Sequence, residues 1–115
     1  MAHATLSIDI NQIKSNIETI KQKTKAKVLF IAKANAYGLG AANICKELQS
    51  HIDGIGLASI QEALSIRKEN ISTPILLLSE PPTEDYHLLN ANDISVTVYN
   101  KSTIQTLNEF AMANK

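Results

Sequence analysis

Short apolar runs alternate with segments of helical periodicity along most of this sequence, and no other feature restricts the fold as much. Val28-Leu29-Phe30-Ile31-Ala32 is a continuous apolar run of the kind that forms a strand covered on both faces. A glycine-bearing loop follows, after which Ile44, Cys45 and Leu48 mark a helix closing near His51. Residues 54–57 read as a short apolar strand, and Ser59 with Glu62 makes a capping box for a helix to about Lys68. Pro74 precedes a third strand, Ile75-Leu76-Leu77-Leu78. Pro81-Pro82 then stops the chain, and Thr83 is placed to cap a short helix to about Asn90. Residues 95–99 are β-branched and strand-like, and Ser102 is placed to cap a last helix carrying Ile104, Leu107 and Ala111. Successive β-α units with short links require right-handed crossovers and a parallel sheet, which makes the chain α/β.

Upstream of that series, Ile10, Ile13, Ile17 and Ile20 recur on one face of a helix ending near Thr24. The lysines at 21, 23, 25 and 27 read as its solvated end, favourable to the helix dipole. Residues 6–9 suggest a short strand outside the series. No linker or low-complexity stretch interrupts the chain, so residues 1–115 read as one unit. Two architectures accommodate about four β-α units. One is a small doubly wound sheet; the other is a partial (β/α)8 TIM barrel, whose full form takes about 250 residues. Periodicity leaves both open.

Composition narrows the function classes. Eleven basic and eleven acidic residues balance to zero net charge, without the basic excess of a nucleic-acid binder. With 44% apolar residues the chain is globular, and no apolar run approaches the roughly 20 residues that span a bilayer. Asp9, Asn11, Gln12 and Lys14 interrupt any targeting segment, so the cytoplasm is the expected compartment. The lone Cys45 forms no internal disulfide and reads as a small core residue. His3, His51 and His87 lack ligand spacing, and no metal is expected.

Chemistry concentrates in Ala32-Lys33-Ala34-Asn35-Ala36-Tyr37-Gly38-Leu39-Gly40. Lys33 falls where the first core strand ends, the end at which parallel β/α folds bind ligands. A lysine after five apolar residues either snorkels to solvent or is a desolvated amine, nucleophilic towards an aldehyde. Gly38 and Gly40 bracket a turn into the next helix, where free backbone N–H groups can receive a phosphate. The pair is neither a Walker loop nor a dinucleotide fingerprint. Tyr37 is either a rim aromatic or a hydroxyl donor to the same anion.

This segment resembles the pyridoxal-phosphate signature of the alanine racemase family, a valine or alanine followed by Lys-Ala-Asn-Ala-Tyr-Gly-His-Gly. Leu39 stands where the family commonly has histidine. The likeness continues through Ser7-Ile8-Asp9, Gly56-Leu57-Ala58-Ser59 with Glu62, and residues 74–78, covering essentially all of this chain and the opening part of the family's length. It implies the N-terminal portion of the barrel domain of a pyridoxal 5'-phosphate enzyme. That enzyme would interconvert L- and D-alanine, supply D-alanine for peptidoglycan, and be a homodimer at full length. Lys33 would carry the cofactor as an aldimine and act as base on one face of the substrate. Tyr37 would donate to the cofactor phosphate, and Ile31 would either pack beneath the ring or simply fill the barrel. The family's opposite-face base is a tyrosine of a C-terminal domain; Tyr86, Tyr99 and the single Arg67 match none of its remaining site residues, so the chain alone is expected to be incomplete for catalysis. A non-catalytic binding or interaction module is the alternative. The single-domain pyridoxal-phosphate homeostasis proteins share the lysine but lack the Asn-Ala-Tyr-Gly continuation.

Overall fold

The computed structural model describes residues 3–115. Helix α1 (Ile10–Thr24) starts at Asp9, whose side chain accepts the Gln12 N–H at 3.0 Å, and ends where Lys25 turns left-handed at φ 57°. Four parallel strands follow in spatial order β1-β2-β3-β4: Leu29–Ile31, Gly54–Leu57, Ile75–Leu77 and Ile94–Val96. Between them run α2 (Lys33–Tyr37), α3 (Ala41–Leu48), α4 (Ile60–Lys68), a 3-10 turn (Thr83–Asp85) with α5 (Tyr86–Ala91), and finally α6 (Lys101–Ala113).

Strand order decides between the two architectures. A doubly wound sheet reverses its order at a switch point, with helices on both faces. Here the order never reverses. Ile55, Leu57, Ile75 and Leu77 point to one face and are buried under the helices with Ile44, Leu48, Ile66 and Ile71. The other face carries Leu29, Ile31, Gly54, Gly56, Leu76 and Ser95 in register. It is open: Leu29 is 40% and Ile31 44% exposed. The strand at residues 28–32 is therefore covered on one face only, not both. In a β/α barrel this face turns towards the axis, which only a full ring of strands fills. The fold is a four-unit portion of that barrel.

Several local expectations are corrected. Residues 6–9 form no strand: Ile8 packs partly against the core, and Asp9 is taken up in capping α1. Thr83 does not cap a helix, because Pro82 keeps the backbone extended, the 3-10 turn intervenes, and the Thr83 hydroxyl meets Glu84. Helix α6 starts at Lys101 after Asn100, so Ser102 lies inside it. Leu107 and Phe110 of α6 pack on the core, Phe110 edge-on to Tyr86 at 5.7 Å, while Ile104 is 59% exposed. Of the lysine run, Lys23, Lys25 and Lys27 are exposed as expected. Lys21 instead pairs with Asp53 at 3.6 Å, whose carboxylate also accepts the Val28 N–H at 2.7 Å. That backbone bond, ahead of the lysine's charge, holds the Asp53 carboxyl below the usual carboxylate range. Cys45 is fully buried, and burial pushes its thiol up to about 11.

At the amino ends of β3 and β4 one side chain ties two turns together. Arg67 on α4 donates to Asn92 O, Ile71 O and Thr73 O, each at 2.8 Å, and to Asp93 O at 3.0 Å. Its planar fork reaches carbonyls of two separate turns at once, a geometry a lysine ammonium lacks. We expect Arg67→Lys to lower the unfolding free energy by about 2–4 kcal/mol, since several charge-assisted bonds are lost and their acceptors left unpaired. Urea titration of both proteins measures the difference.

Candidate functional site

At the carboxyl end of β1 the backbone does something unusual for L-residues. The Ala32 N–H donates to Gly56 O at 2.9 Å, continuing the ladder one residue beyond the strand. From Ala34 to Tyr37 every φ then lies between 53° and 55°, so that α2 is a left-handed helical turn. Each such non-glycine residue costs about 1–2 kcal/mol, and only Asn35 is of a type that visits this region readily. Hydrogen bonds hold the turn: Ala36 N–H to Ala32 O at 3.0 Å, Gly38 N–H to Asn35 O at 3.1 Å, and Gly40 N–H to Asn35 O at 3.0 Å. The Asn35 side chain also accepts the Ala41 N–H at 3.0 Å, fixing where α3 begins. Gly38 (φ 85°) and Gly40 (φ 95°) complete the exit, where a side chain would be strained.

These bonds correct one expectation. The amides of Gly38, Leu39, Gly40 and Ala41 all donate within the turn, to Asn35 or to the carbonyls of Ala34 and Ala36. They are therefore not free to receive a phosphate. What the turn does present is side chains. Lys33, half-buried, opens it, and Tyr37, four positions on, is 77% exposed at its close. Lys33 and Tyr37 thus stand at the two ends of one short helical turn. Ile31 lies on the open face just before them, its Cδ1 only 2.5 Å from where a Cβ on Gly56 would stand. Glycine in β2 is what lets Ile31 lie flat across the neighbouring strand.

Two carboxylates near this mouth take partners that their sequence positions did not indicate. Glu62 does receive the Ser59 cap through its own N–H, at 3.2 Å. Its carboxylate, however, does not return to Ser59 as a capping box would. Oε2 accepts the Ala58 N–H at 3.1 Å, and Oε1 accepts the Ala34 N–H at 3.3 Å, across 28 residues of sequence. Glu80, after β3, is gripped by four donors: Tyr99 N–H at 2.6 Å, Asn100 N–H at 2.7 Å, Asn100 Nδ2 at 2.9 Å and Thr103 Oγ1 at 2.7 Å. It ties the end of β3 to the segment leading into α6, whose first-turn amides take no side-chain cap, from Ser102 or otherwise. The Ser59–Glu62 spacing and the acidic residue before Pro81 were the available signals, but the remote partners were not readable from either.

A family model described as alanine racemase, N-terminal domain, matches residues 8–115. An alanine racemase from Mannheimia succiniciproducens is 36% identical over 118 aligned residues, covering 99% of this chain and 32% of that protein. One from Haemophilus influenzae is 38% identical, over 90% of this chain and 29% of its own length. Among solved structures, alanine racemase from Clostridium difficile 630 superposes with a TM-score of 0.80 at 31% identity, covering 90% of this chain and 28% of that one. The enzyme from Acinetobacter baumannii reaches a TM-score of 0.84 at 24% identity, covering 92% of this chain and 32% of that one, a likeness of fold. The chain spans about a third of the length of the curated relatives it matches.

Glu80 gives the mouth a measurable pH signature. Burial alone would raise its carboxyl, but the donors from Asn100, Thr103 and Tyr99 outweigh that and hold it at about 2. An unfolded glutamate titrates near about 4.3, so the stabilisation is fully present above that pH and disappears as pH falls through the folded value. In thermal melts, the advantage of the native chain over Glu80→Gln is expected to be constant near neutrality. It should shrink below about pH 5 and vanish near pH 2.

Proposed function

The chain belongs to the alanine racemase N-terminal domain family, and from that premise we propose that it forms the pyridoxal 5'-phosphate-holding part of an amino-acid racemase acting on alanine. The observation that carries this reading is the left-handed turn after β1, which places an amine and an exposed phenol at the ligand-binding end of the sheet. This donor set fits the cofactor: an amine to hold its aldehyde and a hydroxyl to meet its phosphate. When bound, pyridoxal phosphate supplies an electron sink for the charge left on a substrate α-carbon. Lys33 holds the group and, once its amine is free, takes the α-proton from one face of the substrate. Tyr37 donates its hydroxyl to the phosphate, and Ile31, on the open face two residues before Lys33, supplies an apolar wall. The product, D-alanine, is the cell-wall building block the family resemblance implies. Balanced charge and the buried free thiol of Cys45 accord with a cytoplasmic enzyme, and a homodimer is its expected full-length state. No helix among the described residues is long and apolar enough to cross a membrane.

Incubation with pyridoxal phosphate, borohydride reduction and peptide mass spectrometry tests the assignment. A pyridoxyl group is expected on Lys33 and absent from Lys33→Ala. Labelling spread over the exposed lysines, or unchanged in the variant, sinks it.

Racemisation also needs a proton donor on the opposite face. Tyr86 is 4% exposed beneath Phe110. Tyr99 follows β4, three strands from Lys33 and therefore about 14 Å away along the sheet. We expect the 115-residue chain with added cofactor to interconvert alanine enantiomers no faster than free cofactor does, followed by chiral chromatography. Sustained turnover would contradict this.

A further inference from the structure

We propose that Glu62 is the positioning residue for Lys33, its carboxylate clamping the peptide N–H that immediately follows the lysine. The proposal rests on the reading of Lys33 as the cofactor lysine and adds the means by which that lysine is held. The Ala34 N–H belongs to the peptide plane joining Lys33 to Ala34, so the acceptor that captures it sets the direction in which the chain leaves Lys33. That acceptor is Glu62 Oε1, at 3.3 Å. Ala34 has φ 53°, a conformation an alanine abandons unless its surroundings over-determine it. Most other bonds of the turn involve donors from Gly38 onward. Near Lys33 the constraints are the Ala32 N–H to Gly56 O bond before it, the Ala36 N–H to Ala32 O bond, and the Glu62 clamp on the peptide that follows it.

Glu62 suits the task physically. It sits in the first turn of α4, where the helix dipole favours a negative charge, and its own N–H is pinned by Ser59. Its second oxygen takes the Ala58 N–H at 3.1 Å, so one carboxylate ties the exit of β1 to the exit of β2. It lines a cavity of about 230 Å³ behind the turn, walled largely by Ala32, Ala41, Leu57 and Ile66. Each oxygen serves one donor. A glutamine therefore retains one acceptor and loses the other, while alanine loses both.

The test compares the native chain with Glu62→Ala and Glu62→Gln by two measurements: amide hydrogen exchange by NMR, and titration with pyridoxal phosphate followed by reductive trapping at Lys33. In Glu62→Ala, the amides of Ala34 and Ala58 are expected to exchange about tenfold faster or more, with core amides such as Ile75 and Leu77 unchanged. Cofactor capture at Lys33 is expected to weaken by about tenfold or more, with Glu62→Gln intermediate in both measurements. Native exchange at Ala34 in the alanine variant overturns the clamp. So does native cofactor capture, or faster exchange spread evenly through the core, which marks a merely structural role. Should Glu62→Ala fail to fold, the glutamine variant carries the same comparison. If the native chain itself leaves Lys33 unlabelled, the cofactor reading falls, and exchange at Ala34 alone upholds or overturns the clamp.

Discussion

Lys33 stands where it does because β1 is locked in parallel register to β2, and almost everything else about the mouth follows from that pairing. Leu29 sits opposite Gly54 and Ile31 opposite Gly56, and the ladder runs one step further through the Ala32 N–H. Two glycines on one face of β2 allow the large side chains of β1 to lie across it; an added Cβ on Gly56 would come within 2.5 Å of Ile31. With β1 ending against β2 in this way, the next residues lie beside the first turn of α4. A carboxylate there reaches back to Ala34. A left-handed turn of alanines, unstable by itself, becomes the defined exit of a strand.

The two faces of the sheet show where the stabilising energy lies. Ile55, Leu57, Ile75 and Leu77 are essentially inaccessible, and with Ile44, Leu48 and Ile66 they form the continuous apolar core. The face carrying Leu29 and Ile31 contributes little to that core, and it is the face on which a β/α barrel organises its axis and the ligand end of its strands. At the opposite end, before β3 and β4, Arg67 binds four carbonyls and ties two turns together.

Much of this was legible in the sequence. The β-α alternation, the buried Cys45 and the Ser59 cap emerge as read, and so does the apolar face of α1 through Ile10, Ile13 and Ile17, because each depends on neighbours within a turn or a strand; Ile20, read onto the same face, is 50% exposed. Capping at Thr83 failed because the adjacent Pro82 holds the backbone extended, and capping at Ser102 failed because α6 begins one residue earlier, after Asn100, which Glu80 fixes from 20 positions away. The two-sided burial expected of β1 failed because an apolar run looks the same whether it is covered by helices or turned towards a barrel axis. The phosphate-ready glycine turn failed because the Asn35 carbonyl and side chain had already taken the amides it would have offered.

What the sequence determined by itself was therefore local and chemical: the number and type of β-α units, the presence of an amine and a phenol in one short motif, and the absence of a charge bias. Spacing and side-chain type are sufficient for these. The tertiary structure decided the unreversed strand order, the face left open, the handedness of the turn after β1, and the attachment of Glu62 to Ala34. Such properties depend on which distant backbone groups come within hydrogen-bonding reach, and no local pattern of residues encodes that distance.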